Sequence, residues 1–365
     1  MKKFPPIILF LIIIYSCGHR SIAPSEEYMV LDNVEYVTGF PIEVDLSDAK
    51  ETGFDVIGLR TFQIMDSILF ISRNSSEGFW QFYSMHDRHL LGELLNVGQG
   101  PNEFTRSIYS ENDFSLVNEG QLQAFAYDMM KGCIYKLDIC KSLETEELVI
   151  QPLPANIDKS LFYAKVLKDN TILCRELAGD ATHQNRFLIK DGRKQVPEVL
   201  DKLNRATVEG GNDGFTINVI SVLISNNDKY IVEAPVYLNY LNLYTLDGKV
   251  SKTVCVDGEI HSISSIANQK IFSRKSTFLH IKTYDDFFAV SYSGYSSMEE
   301  ELGIAKSSQI MMFDYDGKPL AVLNLNILAS AFDIDFREGT LYAFSSSTDE
   351  FVKYEIKELL RQIVD

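Results

Sequence analysis

Asn102 and Glu103 follow directly on Gly98-Gln99-Gly100-Pro101, and Phe104 closes the run. Two glycines and a proline set a tight turn whose backbone a ligand can approach closely. An amide and a carboxylate placed next to such a turn could orient a small polar ligand. The same residues also suit a purely structural loop, with Glu103 capping backbone N–H groups and Phe104 anchoring the strand that follows. Glu209, Asn212 and Asp213 form a second oxygen-rich group around Gly210, Gly211 and Gly214, of the kind a hard cation such as calcium could use. A flexible glycine loop is the simpler reading of that stretch.

Other chemistry is poorly represented. The chain contains no H-E-x-x-H, no G-x-S-x-G and no P-loop sequence. Its six histidines meet no metal-ligand spacing. Cys133, Cys140, Cys174 and Cys255 are scattered without a C-x-x-C pair. Three of them sit in strand-like runs and read as buried thiols, and nothing in the sequence supports a Cys133–Cys140 link over free thiols. The formal net charge of −17 excludes a basic nucleic-acid footprint.

The elements that must carry these loops are short strands. Aromatic content of 12% comes almost wholly from 23 Phe and 18 Tyr, and with abundant Val and Ile it favours sheet. Asp-Gly turns stand between paired apolar runs at Lys190-Asp191-Gly192-Arg193, Leu246-Asp247-Gly248-Lys249 and Tyr315-Asp316-Gly317-Lys318, with His86-Asp87-Arg88-His89 a worn member of the set. These are hairpin signals, because glycine accepts the positive φ such turns require. The D-G-K pattern lacks the rest of a calcium loop, so turn is preferred to metal.

The spacing of runs predicts about six units of about 45 residues, an all-β, six-bladed propeller. Strands are expected at Ile57–Met65, Ile68–Ser72, Phe79–Ser84 and Leu90–Val97 in the first unit, and at Leu122–Tyr127, Cys133–Leu137 and Thr145–Ile150 in the second. The last unit offers three, Ala331–Asp335, Thr340–Phe344 and Phe351–Ile356. Ile42–Leu46 is expected to supply its fourth strand, closing the ring by pairing the two ends of the chain. The insertion Ser293–Ser307 carries Ser296-x-x-Glu299, a capping box for a short helix with Met298, Leu302 and Ile304 on its apolar side.

The N-terminus reads as an export signal. Lys2 and Lys3 precede an apolar run from Phe4 to Tyr15, and Ser16-Cys17-Gly18 follows. A cysteine at that place indicates a lipoprotein, lipidated at Cys17. The expected organisation is a signal peptide over 1–16, a lipid-anchored tether over 17–40 and one propeller over 41–365.

Taken together, the lipoprotein-like start, the degenerate β repeat and the Gly98–Phe104 loop resemble the TolB-like six-bladed propeller lipoproteins of Bacteroidetes, in which a Gly-x-Gly-Pro-x-Glu-Phe loop recurs at this place. The resemblance implies the fold and a cell-envelope location, in the periplasm or at the outer membrane, and no activity or catalytic residue. A non-enzymatic binding or scaffolding propeller, with an envelope protein among its expected partners, is the leading functional expectation. The alternative is a lyase or lactonase in which a channel-bound cation activates water, with Glu103, Glu209 and Asp213 as its first candidates.

Overall fold

Short runs with a buried apolar face need neighbours on both sides, and here they find them by winding into a ring of sheets. A computed structural model describes residues 22–100, 102–105, 114–117, 121–153, 161–167, 169–179, 182–209 and 216–364. Three short strands come first: β1 (Asn33–Tyr36), β2 (Glu43–Leu46) and β3 (Lys50–Glu51). Blade one is β4 (Leu59–Met65), β5 (Ile68–Arg73), β6 (Trp80–Ser84) and β7 (Leu90–Leu94). A two-stranded parallel link, β8 (Asn96–Val97) and β9 (Glu103–Phe104), leads on. Blade two is β10 (Phe114–Val117), β11 (Gln121–Asp128), β12 (Cys133–Asp138) and β13 (Ile150–Pro152), with α1 (Ile139–Thr145) before its last strand. Blade three is β14 (Leu161–Val166), β15 (Ile172–Leu177), β16 (Gln184–Lys190) and β17 (Arg193–Gln195), followed by α2 (Glu198–Asn204).

Blade four is β18 (Val222–Asn226), β19 (Ile231–Pro235), β20 (Tyr240–Tyr244) and β21 (Ser251–Cys255), followed by α3 (Ile263–Ala267). Blade five is β22 (Lys275–Thr283), β23 (Phe287–Ser296), β24 (Ser308–Asp314) and β25 (Pro319–Leu325), with α4 (Ser297–Glu301) in its middle. Blade six is β26 (Ala331–Asp335), β27 (Thr340–Ser345) and β28 (Glu350–Glu355), and α5 (Lys357–Val364) ends the chain. Within blades one to five the four blade strands are sequential and antiparallel, and blade six runs β26-β27-β28-β3, also antiparallel. All six innermost strands therefore run the same way. One face of the ring carries the links between blades and the loops joining second to third strands. The other carries only the turns between first and second and between third and fourth strands. We call these the link face and the turn face.

The N-terminal segment is a belt around half the ring. β1 adds a parallel fifth strand to blade four, with Val34 opposite Thr253, and β2 adds one to blade five, with Val44 opposite Leu323. Ring closure falls to β3, whose Lys50 and Glu51 pair antiparallel with Lys353 and Val352 of β28. This corrects the expected register: Glu43–Leu46 covers the edge of blade five, and the last blade takes its fourth strand from the next segment along. The alternation explains the choice, since Ile42, Val44 and Leu46 pack into the core shared by blades five and six, whereas exposed Lys50 pairs with Glu355 at 3.1 Å. Two outer edges are thereby covered rather than one.

The folded part also begins before residue 41. Met29, Val30 and Leu31 are wholly buried, although the expected tether ran to residue 40. Their backbone is held by blade four: Met29 N donates to the Tyr240 hydroxyl at 3.2 Å, Asn242 Nδ2 donates to Met29 O at 2.9 Å, and Leu31 N donates to Thr253 Oγ1 at 2.8 Å. Asn242 and Thr253 have no exposed surface. Such buried polar groups persist in a core only with partners, and the strap supplies them.

Two further departures have local causes. The run expected as a strand over Thr145–Ile150 begins only at Ile150, because α1 is capped at Asp138, whose side chain accepts from Lys141 N, and ends with Glu146 in the left-handed region. The C-terminal helix α5 packs Leu359 and Leu360 onto the same core as Ile42. The hairpin turns are as expected. Gly317, at φ +80°, could not carry a side chain, since a Cβ there would lie 2.9 Å from Val254 Cγ2. In the worn turn, Arg88 takes the left-handed place at φ +62°, with Ser84 N donating to His89 O at 3.0 Å.

Candidate functional site

Innermost strands end on the turn face, where β4, β22 and β26 bring Gln63, Lys282 and Asp333 together. Asp333 is buried in blade six, and its carboxylate is saturated. Oδ2 accepts from Ile64 N of blade one at 2.9 Å and pairs with Lys282 Nζ of blade five at 3.0 Å. Oδ1 accepts from the Tyr284 hydroxyl at 3.1 Å and from Ile334 N at 2.9 Å. One side chain thus ties three consecutive blades. Tyr284 stays a proton donor, because burial and the adjacent Asp333 charge hold its phenol well above the ordinary range. Burial, reinforced by Lys282, pushes His280 far below the ordinary histidine value, so that ring is neutral.

Above this junction lies an open pocket of about 320 Å³. Gln63 and Ile64 line one side, Lys282 and Asp333 the floor, and the hairpin Thr283–Phe287 with Phe336 the rest. Tyr284 N donating to Phe287 O at 2.8 Å closes that hairpin, leaving Asp285 and Asp286 exposed at its tip. Phe336 stands edge-on to Tyr284, with ring centroids 5.1 Å apart. A second, larger pocket of about 640 Å³ lies on the same face between blades three and four, lined by Leu167, Ile231, Leu246 and Val250 and by polar turn residues including Asp169 and Asp247. Hydrogen bonds from Lys190 and Thr171 hold Asp169 down at about 2.

A separate staple joins blades three and four. Arg186 and Glu233 are almost wholly buried and pair at 2.9 Å, and Tyr244 donates to Glu233 Oε1 at 2.9 Å. Burial first, then the neighbouring Arg186 charge, lowers Arg175 to about 10.

The loop singled out in the sequence stands on the other face. Glu103 Oε2 accepts from Gly100 N at 2.7 Å, and a Cβ on Gly98 would lie 2.0 Å from that same oxygen. The glycines therefore make room for the Glu103 carboxylate, which in turn holds their backbone. Phe104 is buried, edge-on to Phe79 and Tyr135 at 6.2 and 5.3 Å. Asn102 and Glu209 are exposed. Pro101, Asn212, Asp213 and Cys17, the expected lipidation residue, lie outside the described residues. Ser293–Ser307 shares the link face and starts α4 with the expected capping box: Ser296 N donates to Glu299 Oε2 at 2.8 Å, and Ser296 Oγ accepts from Glu299 N at 3.3 Å.

Sequence reasoning missed Gln63, Lys282, Tyr284 and Asp333, which come from three distant strands and the turn after one of them. Charged residues set inside inner strands, Lys282 in β22 and Asp333 in β26, were the available signal. Cys133, Cys140, Cys174 and Cys255 are all free thiols, and burial raises Cys174 to about 12 and Cys255 to about 11. Among the described residues no three His, Cys, Asp or Glu side chains are placed to hold a metal ion.

Comparison with known proteins bears on the fold. The family model described as TolB-like 6-blade propeller-like matches residues 60–337. A member of the DUF4221 family from Bacteroides vulgatus is similar in structure at 11% identity and a TM-score of 0.50, over 81% of this chain and 94% of that one. Hydrazine synthase of Kuenenia stuttgartiensis aligns at 15% identity and a TM-score of 0.43, over 91% of this chain and 83% of that one. Streptogramin B lyase aligns at 10% and 0.41, over 81% and 78%. No curated protein sequence matches.

Proposed function

We propose, for a chain that belongs to the TolB-like six-bladed propeller family, a lipid-anchored envelope lipoprotein that binds its ligand or partner without chemical turnover. The carrying observation is the saturation of Asp333. A general base needs a lone pair aimed at the proton it will take. This carboxylate already accepts from Ile64 N, Lys282, Tyr284 and Ile334 N, and losing any of them would strand a buried group. The charged pair beneath the turn-face pocket is therefore committed to holding blades together, and the pocket above it is left as a recognition surface. Anchoring rests on Lys2, Lys3, the Phe4–Tyr15 run and Cys17.

Purified protein offered lactone, ester and glycoside substrates is expected to give no turnover above buffer; turnover abolished by Asp333→Asn would overturn the binding reading. The anchor is tested in cells by labelling with an alkyne fatty acid, where Cys17→Ala is expected to lose the label and to leave the membrane fraction.

A further inference from the structure

We infer that the turn-face pocket at blades one, five and six takes an organic cation, an alkylammonium or guanidinium group on a short apolar body. The inference deepens the binding reading above and rests on it. The charge of Lys282 is consumed by Asp333 at 3.0 Å. That leaves Asp285 and Asp286 at the rim as net negative charge, and neither forms an ion pair or hydrogen bond among the described residues. The nearby cation Arg337 is engaged elsewhere, 3.7 Å from Asp66 and 3.5 Å from Asp335. Deeper in the pocket wall, Gln63 Oε1 is buried without a hydrogen-bond partner. An amide oxygen left unmade is costly, and a rotation of the part-exposed Gln63 side chain would present it to a donor-bearing ligand.

The remaining wall is aromatic. Phe336 keeps 47% of its surface exposed and is braced by Tyr284 at 5.1 Å and Phe287 at 6.1 Å. A solvent-facing ring fixed beside two carboxylates attracts a cation through its π-face and covers the ligand's apolar part. The unmet groups in the pocket thus form one set, carboxylate and amide acceptors plus a π-surface, and their complement is a positively charged donor. The pocket is of the size that holds small ligands.

The test is calorimetric titration of the purified protein with phenethylammonium and butylguanidinium chlorides, against N-acetylphenethylamine and glucose. Both cations are expected to bind, with the acetylated amine at least about tenfold weaker. Asp285→Asn with Asp286→Asn should weaken cation binding about tenfold, and Phe336→Ala by a smaller factor. All three positions are exposed, so unchanged thermal midpoints will show that the variants fold. Equal affinity for the neutral analogue, undiminished binding by the double variant, or no binding of either cation at millimolar concentration would each overturn the inference. Binding of glucose alone would overturn it while leaving the binding reading intact. Turnover of a probe would count against the binding reading itself.

Discussion

The link-face loops and the Thr283–Phe287 hairpin of the turn face use polar residues in opposite ways. On the link face the loops are long, and their backbone groups have left the sheet ladders. Polar side chains there turn inward on their own loops. Glu103 holds Gly100 N, Glu299 and Ser296 cap each other, and Asn239 donates to Asp257 O and Glu259 O while accepting from His261 N. On the turn face most turns are held in the same way, with Asn227 accepting from Lys229 N and Tyr230 N, Asp314 from Asp316 N and Lys318 N, and Asp335 from Arg337 N and Glu338 N, whereas the Thr283–Phe287 hairpin closes on the backbone bond from Tyr284 N to Phe287 O. The side chains of that hairpin are consequently released to meet neighbouring blades, as Tyr284 does, or solvent, as Asp285 and Asp286 do. A loop rich in polar residues is thus a poor guide to a binding surface when its backbone needs those residues first.

The comparison is broken most forcefully at Asp333. Asp333→Ala removes the partner of Lys282 and leaves Ile64 N without an acceptor, both buried or nearly so. Breaking a buried pair from one side costs about 3–5 kcal/mol, and urea unfolding is expected to show a loss of that order. A loss below about 1 kcal/mol would mean that the pair is solvated and that the turn face is not tied at this point. Asp333→Asn, which keeps the size and part of the hydrogen bonding, should fall between.

Much of the ring was legible because it rests on local signals. The strand over Ala331–Asp335 matches its expected bounds, and the Asp-Gly hairpins fall where glycine permits the turn. What was illegible depends on pairing across the chain. Nothing local distinguishes Ile42–Leu46 as a fifth strand of blade five from a fourth strand of blade six, since both offer an apolar groove. The buried Asn242 and Thr253 make sense only once the Met29–Leu31 strap lies over them. The pocket was hidden for the same reason: Gln63, Lys282 and Asp333 are far apart in sequence, and it is ring closure that brings their strand ends together.

The link face is sharpened by a double-mutant cycle at Gly98 and Glu103. Gly98→Ala places a methyl group on the Glu103 carboxylate, and overpacking of this kind costs about 1–3 kcal/mol. Glu103→Ala alone forfeits a charge-assisted bond to Gly100 N, about 1–2 kcal/mol with partial exposure taken into account. If the glycine exists to make room for the carboxylate, the pair will be strongly non-additive, and Gly98→Ala will cost little in the Glu103→Ala background. Additive losses would sever the link between the two residues, and Glu103 would then be available to a ligand.

The smallest effect separates the faces by pH. His280 lies wholly buried on β22, two residues from Lys282, with its Nδ1 facing Phe332 N at 3.4 Å. Its folded value is depressed, so the native state binds fewer protons there than the unfolded chain does. Stability from this group is therefore present above the unfolded histidine value of about 6.5 and is lost as pH falls toward the depressed folded value, at about 1.4 kcal/mol per pH unit. Titration of the carboxylates adds its own slope, so the measurement is the difference between wild type and His280→Gln from pH 7 to 5. The variant is expected to lose the histidine share of the slope. Hydrogen exchange should place the acid loosening on the inner strands of blades five and six, while the amides of Gly98 and Gly100, held by backbone and by Glu103 respectively, keep their protection relative to pH 7. Loosening that began in the link-face loops would instead place the acid-sensitive contacts there.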